Sequence, residues 1–314
     1  ITNINDQGII EDFKGSYDLH INEILNLKHV DPDLIRKKRF KIVVDGINSS
    51  GGIIIPKLLE ALNVEVIKIN CIPDGNFAHD PEPLDKNLDQ LKEEVLKSNS
   101  DLGIAVDPDV DRLVFVSENG ETISEENTLI SCADYILSKE KGSAVSNLSS
   151  SMGLRDVCKM YGVEYFSSMV GEINVVEKMK SVNAIIGGEG NGGIIYPESH
   201  YGRDALVGIG LLLTSLALKN KTISELFEKL PKYHMLKEKI KIDNDLDFIH
   251  IKNKLKSTFH NFSFNEIDGL KIENNSSWVH VRKWNTEPII RIYIESKSKQ
   301  DSKALFTAVK KALR

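Results

Sequence analysis

Positive charge is not in excess here, cysteine is scarce, and no apolar run is long. Forty Lys and Arg stand against 46 Asp and Glu, a formal net charge of −6. No basic stripe interrupts that balance, so nucleic acid and an anionic membrane are poor partners. The longest apolar stretches, such as Val207 to Leu218, fall well short of a bilayer span. The N-terminus also lacks the basic-then-apolar pattern of a signal peptide, and a cytoplasmic location is expected. Cys71, Cys132 and Cys158 are odd in number, far apart and set in apolar surroundings, which argues for buried thiols over a disulfide framework. What is present is an ordinary soluble composition over 314 residues, too many for one core.

The chemistry concentrates first in Asp107-Pro108-Asp109-Val110-Asp111-Arg112. Three carboxylates at alternating positions repel one another unless a cation sits among them. The flanking runs Leu102 to Val106 and Leu113 to Val116 read as buried strands, and Pro108 cannot donate to a ladder, so the acids fall on a tight connecting loop. An EF-hand is a poor alternative, because Arg112 stands where that loop needs glycine and a strand follows where it needs a helix. A solvated acidic turn is the commoner pattern for scattered Asp, but a loop between apolar strands is a poor place for three unpaired carboxylates. Oxygen-only ligands in small number favour Mg²⁺, held by Asp107, Asp109 and Asp111, with Arg112 as a forked donor to phosphate.

Alternation of strand and helix around this loop predicts a fold of two α/β domains with largely parallel sheets, followed by a C-terminal α+β domain. Residues 1–16 read as a connector from a preceding domain, 17–142 as the metal-binding α/β unit, 143–232 as a second α/β unit and 233–314 as the α+β unit. In the first, a helix over the Ile21 to Leu27 region, strands at Phe40 to Val44 and Val64 to Ile69, and a helix from Glu125 to Lys139 are expected.

Two further loops carry candidate ligands. Gly187 to Gly193 holds five glycines in seven residues, directly after an apolar strand. No helix starts at its end, so it is not a dinucleotide fingerprint; glycines there let backbone approach a ligand, while Glu189 and Asn191 suit sugar hydroxyls. Arg282-Lys283-Trp284-Asn285-Thr286-Glu287-Pro288, closed by Arg291, gathers cations, an amide and a hydroxyl suited to phosphate.

In this order, the three loops make the chain resemble the alpha-D-phosphohexomutases, the phosphoglucosamine mutase, phosphomannomutase and phosphoglucomutase group. Val43-Val44-Asp45, Phe77 to Leu84, Val170-Gly171-Glu172 and His200 to Leu206 add weaker matches. The resemblance implies the second, third and fourth domains of a four-domain enzyme. Its first domain normally carries a phosphorylated serine in a Ser-His-Asn-Pro motif, which this sequence does not contain; Ser199-His200 falls within the third-domain match and is not expected to be the nucleophile. The implied reaction passes phosphate from that serine to a hexose or hexosamine phosphate, through a 1,6-bisphosphate, with Asp107, Asp109 and Asp111 on Mg²⁺ and Arg112 neutralising charge. Glu189 and Asn191 would hold the sugar, and Arg282, Asn285, Thr286 and Arg291 the non-reacting phosphate. Trp284 replaces the usual serine of that last loop, and Asn191 and Gly193 replace serine and histidine of the sugar loop, which leaves the preferred sugar open, as is the oligomeric state. This chain alone is expected to be inactive. A non-catalytic sugar-phosphate and Mg²⁺ binding module is the alternative, and a phosphatase using Asp107 as nucleophile a weaker one, since Asp109 and Asp111 would crowd it.

Overall fold

The computed structural model describes residues 11, 13–241, 248–283 and 289–313. The first unit opens with α1 (Ser16–Leu25) and α2 (Pro32–Lys38), continues through β1 (Lys41–Asp45), α3 (Gly51–Ala61), β2 (Glu65–Ile69), α4 (Asp89–Ser98), β3 (Leu102–Val106) and β4 (Leu113–Ser117), and ends at β5 (Thr122–Ile123). Its sheet runs β2-β1-β3-β4-β5. The strands β2, β1 and β3 are parallel, and β4 and β5 return antiparallel. Side chains alternate across it as period-two geometry requires. Ile42, Val44, Leu113 and Phe115 enter one core, while Val43, Val114 and Val116 meet Leu91 and Val95 of α4 on the other face.

The expected first helix ends at Leu25, and a separate helix follows that the sequence reading did not resolve. Asp31 caps it, accepting from Leu34 N at 2.9 Å, and Pro32 opens it where a missing N–H costs nothing.

The second unit contains α5 (Glu125–Lys139), β6 (Ala144–Asn147), α6 (Gly153–Tyr161), β7 (Tyr165–Ser168), α7 (Glu172–Val182), β8 (Ile186–Glu189), β9 (Gly193–Ile195), α8 (Ala205–Lys219) and α9 (Ile223–Glu228). Its sheet order is β7-β6-β8-β9, parallel except for β9. A correction to the expected boundary comes from α5: it packs on α6, α8, β8 and β9 as well as β4, so burial of its apolar face places it with the second sheet rather than closing the first. One apolar core then runs through both units, from Ile24 and Leu113 to Ile194, Leu206 and Ile209.

The third unit is an antiparallel sheet, β10-β14-β13-β12-β11, covered by two helices. In chain order it has β10 (His234–Lys241), α10 (Phe248–Thr258), β11 (Ser263–Asn265), β12 (Leu270–Glu273), β13 (Ser277–Lys283), β14 (Ile289–Ser296) and α11 (Lys299–Leu313). Its core, including Leu255, Ile272, Val279, Ile292 and Val309, is its own. Cys132 and Cys158 are buried free thiols, pushed up to about 12 by burial, whereas Cys71 is only partly buried. Among the described residues no helix is long and apolar enough to cross a membrane.

Candidate active site

The acidic loop lies at the carboxyl end of β3, where ligands of parallel sheets usually sit. One ligand atom from each of Asp107, Asp109 and Asp111 falls within 4.8 Å of the others. Backbone geometry enforces this convergence. Val110 takes a left-handed φ of 62°, unusual for a β-branched residue, and its side chain is buried. Asp107 Oδ1 accepts from Asp111 N at 3.1 Å and Arg112 N at 3.0 Å, and Pro108 O accepts from the hydroxyls of Ser49 at 2.9 Å and Ser50 at 2.6 Å. Burial pushes the Asp107 carboxyl up to about 7, with the Asp111 and Asp109 charges adding to it while the Arg112 N–H opposes. Burial likewise raises Asp111, against the pull of Arg203. Asp109 is exposed. Arg112 sits at the rim, its Nε 3.3 Å from Asp107 Oδ2 and a terminal nitrogen 3.2 Å from Glu82 Oε1, within the Phe77 to Leu84 segment.

The glycine-rich loop is the β8–β9 turn, and it touches the acidic loop directly: Leu113 N donates to Gly192 O at 3.1 Å. The glycines make room for protein rather than for a ligand, which corrects the reason first given for them. A Cβ on Gly192, whose φ is 93°, would stand 2.6 Å from Leu113 O, and one on Gly190 would stand 1.9 Å from Glu126 Oε2. Glu189 is 6% exposed. Its carboxylate accepts from Asn147 Nδ2 at 2.7 Å, Gly171 N at 3.2 Å and Arg203 at 2.9 Å. Asn191 is partly buried at the turn, with Oδ1 accepting from Gly193 N at 3.1 Å.

The residue that sequence reasoning left without a role is Arg203. Its guanidinium pairs with Asp111 of the acidic loop, with Glu189 of the glycine loop at 2.9 Å, and with Glu172 at 3.3 Å. The segment His200 to Leu206 is one of the weaker family matches, and that match is the available signal.

Of the phosphate-loop residues, Arg282 and Arg291 are described, while Asn285, Thr286 and Trp284 lie outside the described residues. Arg282 and Arg291 stand directly opposite each other on β13 and β14, and Lys239 of β10 stands opposite Arg291 on its other side. Like charges paired across strands are destabilising, so this row of cations is suited to an anion. Arg282 Nε donates to Asp268 Oδ1 at 2.9 Å, and Asp268 Oδ2 accepts from Val170 N at 2.9 Å. Gly171, next in the chain, donates to Glu189. An unbroken polar path thus runs from Arg282 through Asp268, Val170-Gly171 and Glu189 to Arg203 and Asp111, and it links the acidic and glycine loops to the strand that carries Arg282.

Models of the phosphoglucomutase/phosphomannomutase family match three successive segments, its alpha/beta/alpha domain II over residues 18–120, its alpha/beta/alpha domain III over 124–233 and its C-terminal domain over 235–312. The chain belongs to this family. A phosphoglucomutase/phosphomannomutase of Thermococcus kodakarensis is 36% identical over 276 residues, which is 87% of this chain and 60% of that protein. A probable phosphoglucosamine mutase of Methanopyrus kandleri is 30% identical over 96% of this chain and 67% of its own. The chain therefore spans about 60 to 67% of these relatives. In fold, a phosphoglucomutase/phosphomannomutase family protein of Burkholderia thailandensis matches with a TM-score of 0.82 at 24% identity, over 96% of this chain and 65% of that one. Aspergillus fumigatus N-acetylphosphoglucosamine mutase, solved with GlcNAc-6P and magnesium, matches with a TM-score of 0.64 at 14% identity, over 94% and 68%.

Proposed function

We propose that this chain supplies the metal-, sugar- and phosphate-holding parts of a phosphohexomutase, which interconverts the 1-phosphate and 6-phosphate of a hexose or hexosamine, of the phosphoglucosamine mutase or phosphomannomutase type. The observation that carries this is the Arg203 clasp, which fixes an acidic loop and a sugar-type loop beside each other and continues, through Glu189 and Asp268, to paired arginines. On this reading the phosphoryl group is carried on a serine, as the family resemblance implies.

Asp107, Asp109 and Asp111 offer only carboxylate oxygens, a donor set that fits a hard divalent cation such as Mg²⁺. When bound, Mg²⁺ neutralises charge on the transferring phosphoryl group. Arg112, held at the rim by Asp107 and Glu82, swings its fork onto a phosphate oxygen. Arg282 and Arg291, with Asn285 and Thr286, grip the phosphate that does not react. Glu189 uses three lone-pair positions on protein donors, which leaves one for a sugar hydroxyl beside the Asn191 amide. The phosphoryl group passes from serine oxygen to a sugar oxygen, the 1,6-bisphosphate turns over, and its other phosphate returns to the serine while the released sugar oxygen takes the proton.

Phosphorus NMR tests the reading, with glucosamine, glucose and mannose 1-phosphates, Mg²⁺ and a trace of sugar 1,6-bisphosphate. The chain extended by its natural preceding residues should form a 6-phosphate, and the present chain should only bind. Binding without isomerisation in both makes the protein a sugar-phosphate binding module and overturns the proposal.

A further inference from the structure

Two histidines with no part in the proposed transfer converge on one carboxylate oxygen. His20 comes from α1 and His200 from the turn before α8, and their Nε2 atoms lie 2.8 and 3.1 Å from Asp204 Oδ2. The other oxygen of Asp204 caps α8, accepting from Leu206 N at 2.7 Å and Val207 N at 3.4 Å. The cap stops the carboxylate from rotating and leaves Oδ2 facing the imidazoles. One ligand atom from each of the three side chains lies within 4.8 Å of the others.

Protonated, the site holds two imidazolium groups on one oxygen of one buried carboxylate. Replacing the two Nε2 protons by one divalent ion keeps the same charge and removes the repulsion between the rings, whose centroids are 6.1 Å apart. Tetrahedral coordination with bonds of about 2.0–2.1 Å separates neighbouring ligand atoms by roughly 3.3 Å. The 2.8 and 3.1 Å spacings reach that value by a slight opening of the cluster. A carboxylate also lies nearby, beyond hydrogen-bond distance: Glu23 Oε2 is 3.9 Å from His20 Nδ1, and Glu23 Oε1 accepts from Ser199 Oγ at 2.8 Å. Metal-bound histidines usually direct their second nitrogen at such a carboxylate. The side chains of His20 and His200 are 28% and 43% exposed, so solvent reaches the fourth position.

We propose that His20, His200 and Asp204 form a second metal site, for a borderline transition ion of the Zn²⁺ class. Two imidazoles and one carboxylate select Zn²⁺ and its neighbours over Mg²⁺, whereas the oxygen-only Asp107 loop selects the reverse. The bound ion joins α1 to the turn that carries Arg203, and so braces the clasp between the acidic and glycine loops.

Zn²⁺ added to the full chain in excess Mg²⁺, followed by isothermal titration calorimetry, tests this. One ion per chain is expected at micromolar affinity or tighter, with His20→Ala and His200→Ala each weakening it by tenfold or more. Co²⁺ as a probe should give the intense visible bands of a four-coordinate site in the unmutated chain, and those bands should be lost on adding Zn²⁺. This second measurement stands even where a variant folds poorly. Zn²⁺ binding only at millimolar concentration, a pale six-coordinate Co²⁺ spectrum, or affinity unchanged in both histidine variants overturns the proposal.

Discussion

The first two units and the third are joined in different ways. Between the first and second, packing is apolar and continuous: Ile24 and Val30 sit beside α8, and Leu113 of the first sheet belongs to the same core as Ile194 of the second. The third unit keeps a separate core and docks through polar contacts. Tyr233 donates to Asp156 at 2.5 Å, Met152 N to Glu295 at 2.7 Å, Val170 N to Asp268 at 2.9 Å, and Lys237 reaches Glu125 at 2.8 Å. A shared apolar core fixes the acidic and glycine loops as one rigid piece. Polar docking exchanges with water at little cost, so the cationic strands of the third unit are the part better able to shift against the other two.

Substitutions in the rigid half should separate activity from stability. Asp109 is exposed, so Asp109→Ala in the extended enzyme should lower kcat/KM by about 10²–10³-fold with an unchanged melting temperature. Retained Mg²⁺-dependent turnover would remove the metal assignment. Arg203→Ala should instead lower stability: it leaves Asp111 and Glu189 without their shared cation, which costs about 3–5 kcal/mol for a broken, largely buried pair. Urea unfolding would show this loss. An Arg203→Ala protein of normal stability would mean that the clasp does not hold the two loops.

How far the sequence revealed this follows from how local each signal is. Buried strands such as Leu102–Val106 and the helix Glu125–Lys139 were legible because their apolar period is complete within the segment. The edge strand Ser263–Asn265 was not, because it is short, polar and largely exposed, and its pairing with β12 supplies what its sequence does not. The acidic loop was legible because its three carboxylates are neighbours in the chain. Arg203 was not, because its partners Asp111, Glu172 and Glu189 come from three separate segments, and the family match over His200 to Leu206 marks the segment without marking its central residue. The glycines were found for the wrong reason: a glycine shows that something approaches closely, but not whether that is ligand or the backbone of Leu113.

Acid should act on the polar joint first. His280 of β13 is buried, with Nε2–H donating to Asp268 O at 2.7 Å and Nδ1 accepting from Ser149 at 2.8 Å across the unit boundary. Burial, aided by nearby Lys271 and Arg282, lowers it from 6.5 to about 4. Between those values the unfolded chain binds a proton that the folded one refuses, so stability is full above pH 6.5 and falls toward pH 4, by about 3 kcal/mol. Stability measured against pH should lose that slope in His280→Asn. A slope unchanged by the substitution would assign the acid sensitivity elsewhere.

Of the substitutions that cost stability, the smallest loss, and the sharpest effect on the comparison, is expected from Lys237→Met. Lys237 Nζ lies 3.0 Å from Glu126 Oε1 and 3.3 Å from Gly190 O, so it ties β10 to the underside of the glycine loop. Burial opposes its charge, but Glu126 and Glu125 hold the ammonium above its usual value, and burial pushes Glu126 itself up to about 7. Without the lysine, Glu126 can take a proton near neutral pH instead of remaining a bare buried charge, which limits the loss to about 1–2 kcal/mol. Hydrogen exchange then reads the joint directly. Amides of β10 and of residues 189–193 should exchange faster, while those of α1 and α8 in the shared apolar core keep their protection. Faster exchange in α1 and α8 as well would mean that the two joints open together, because the distinction between a rigid half and a docked third unit requires that one can loosen without the other.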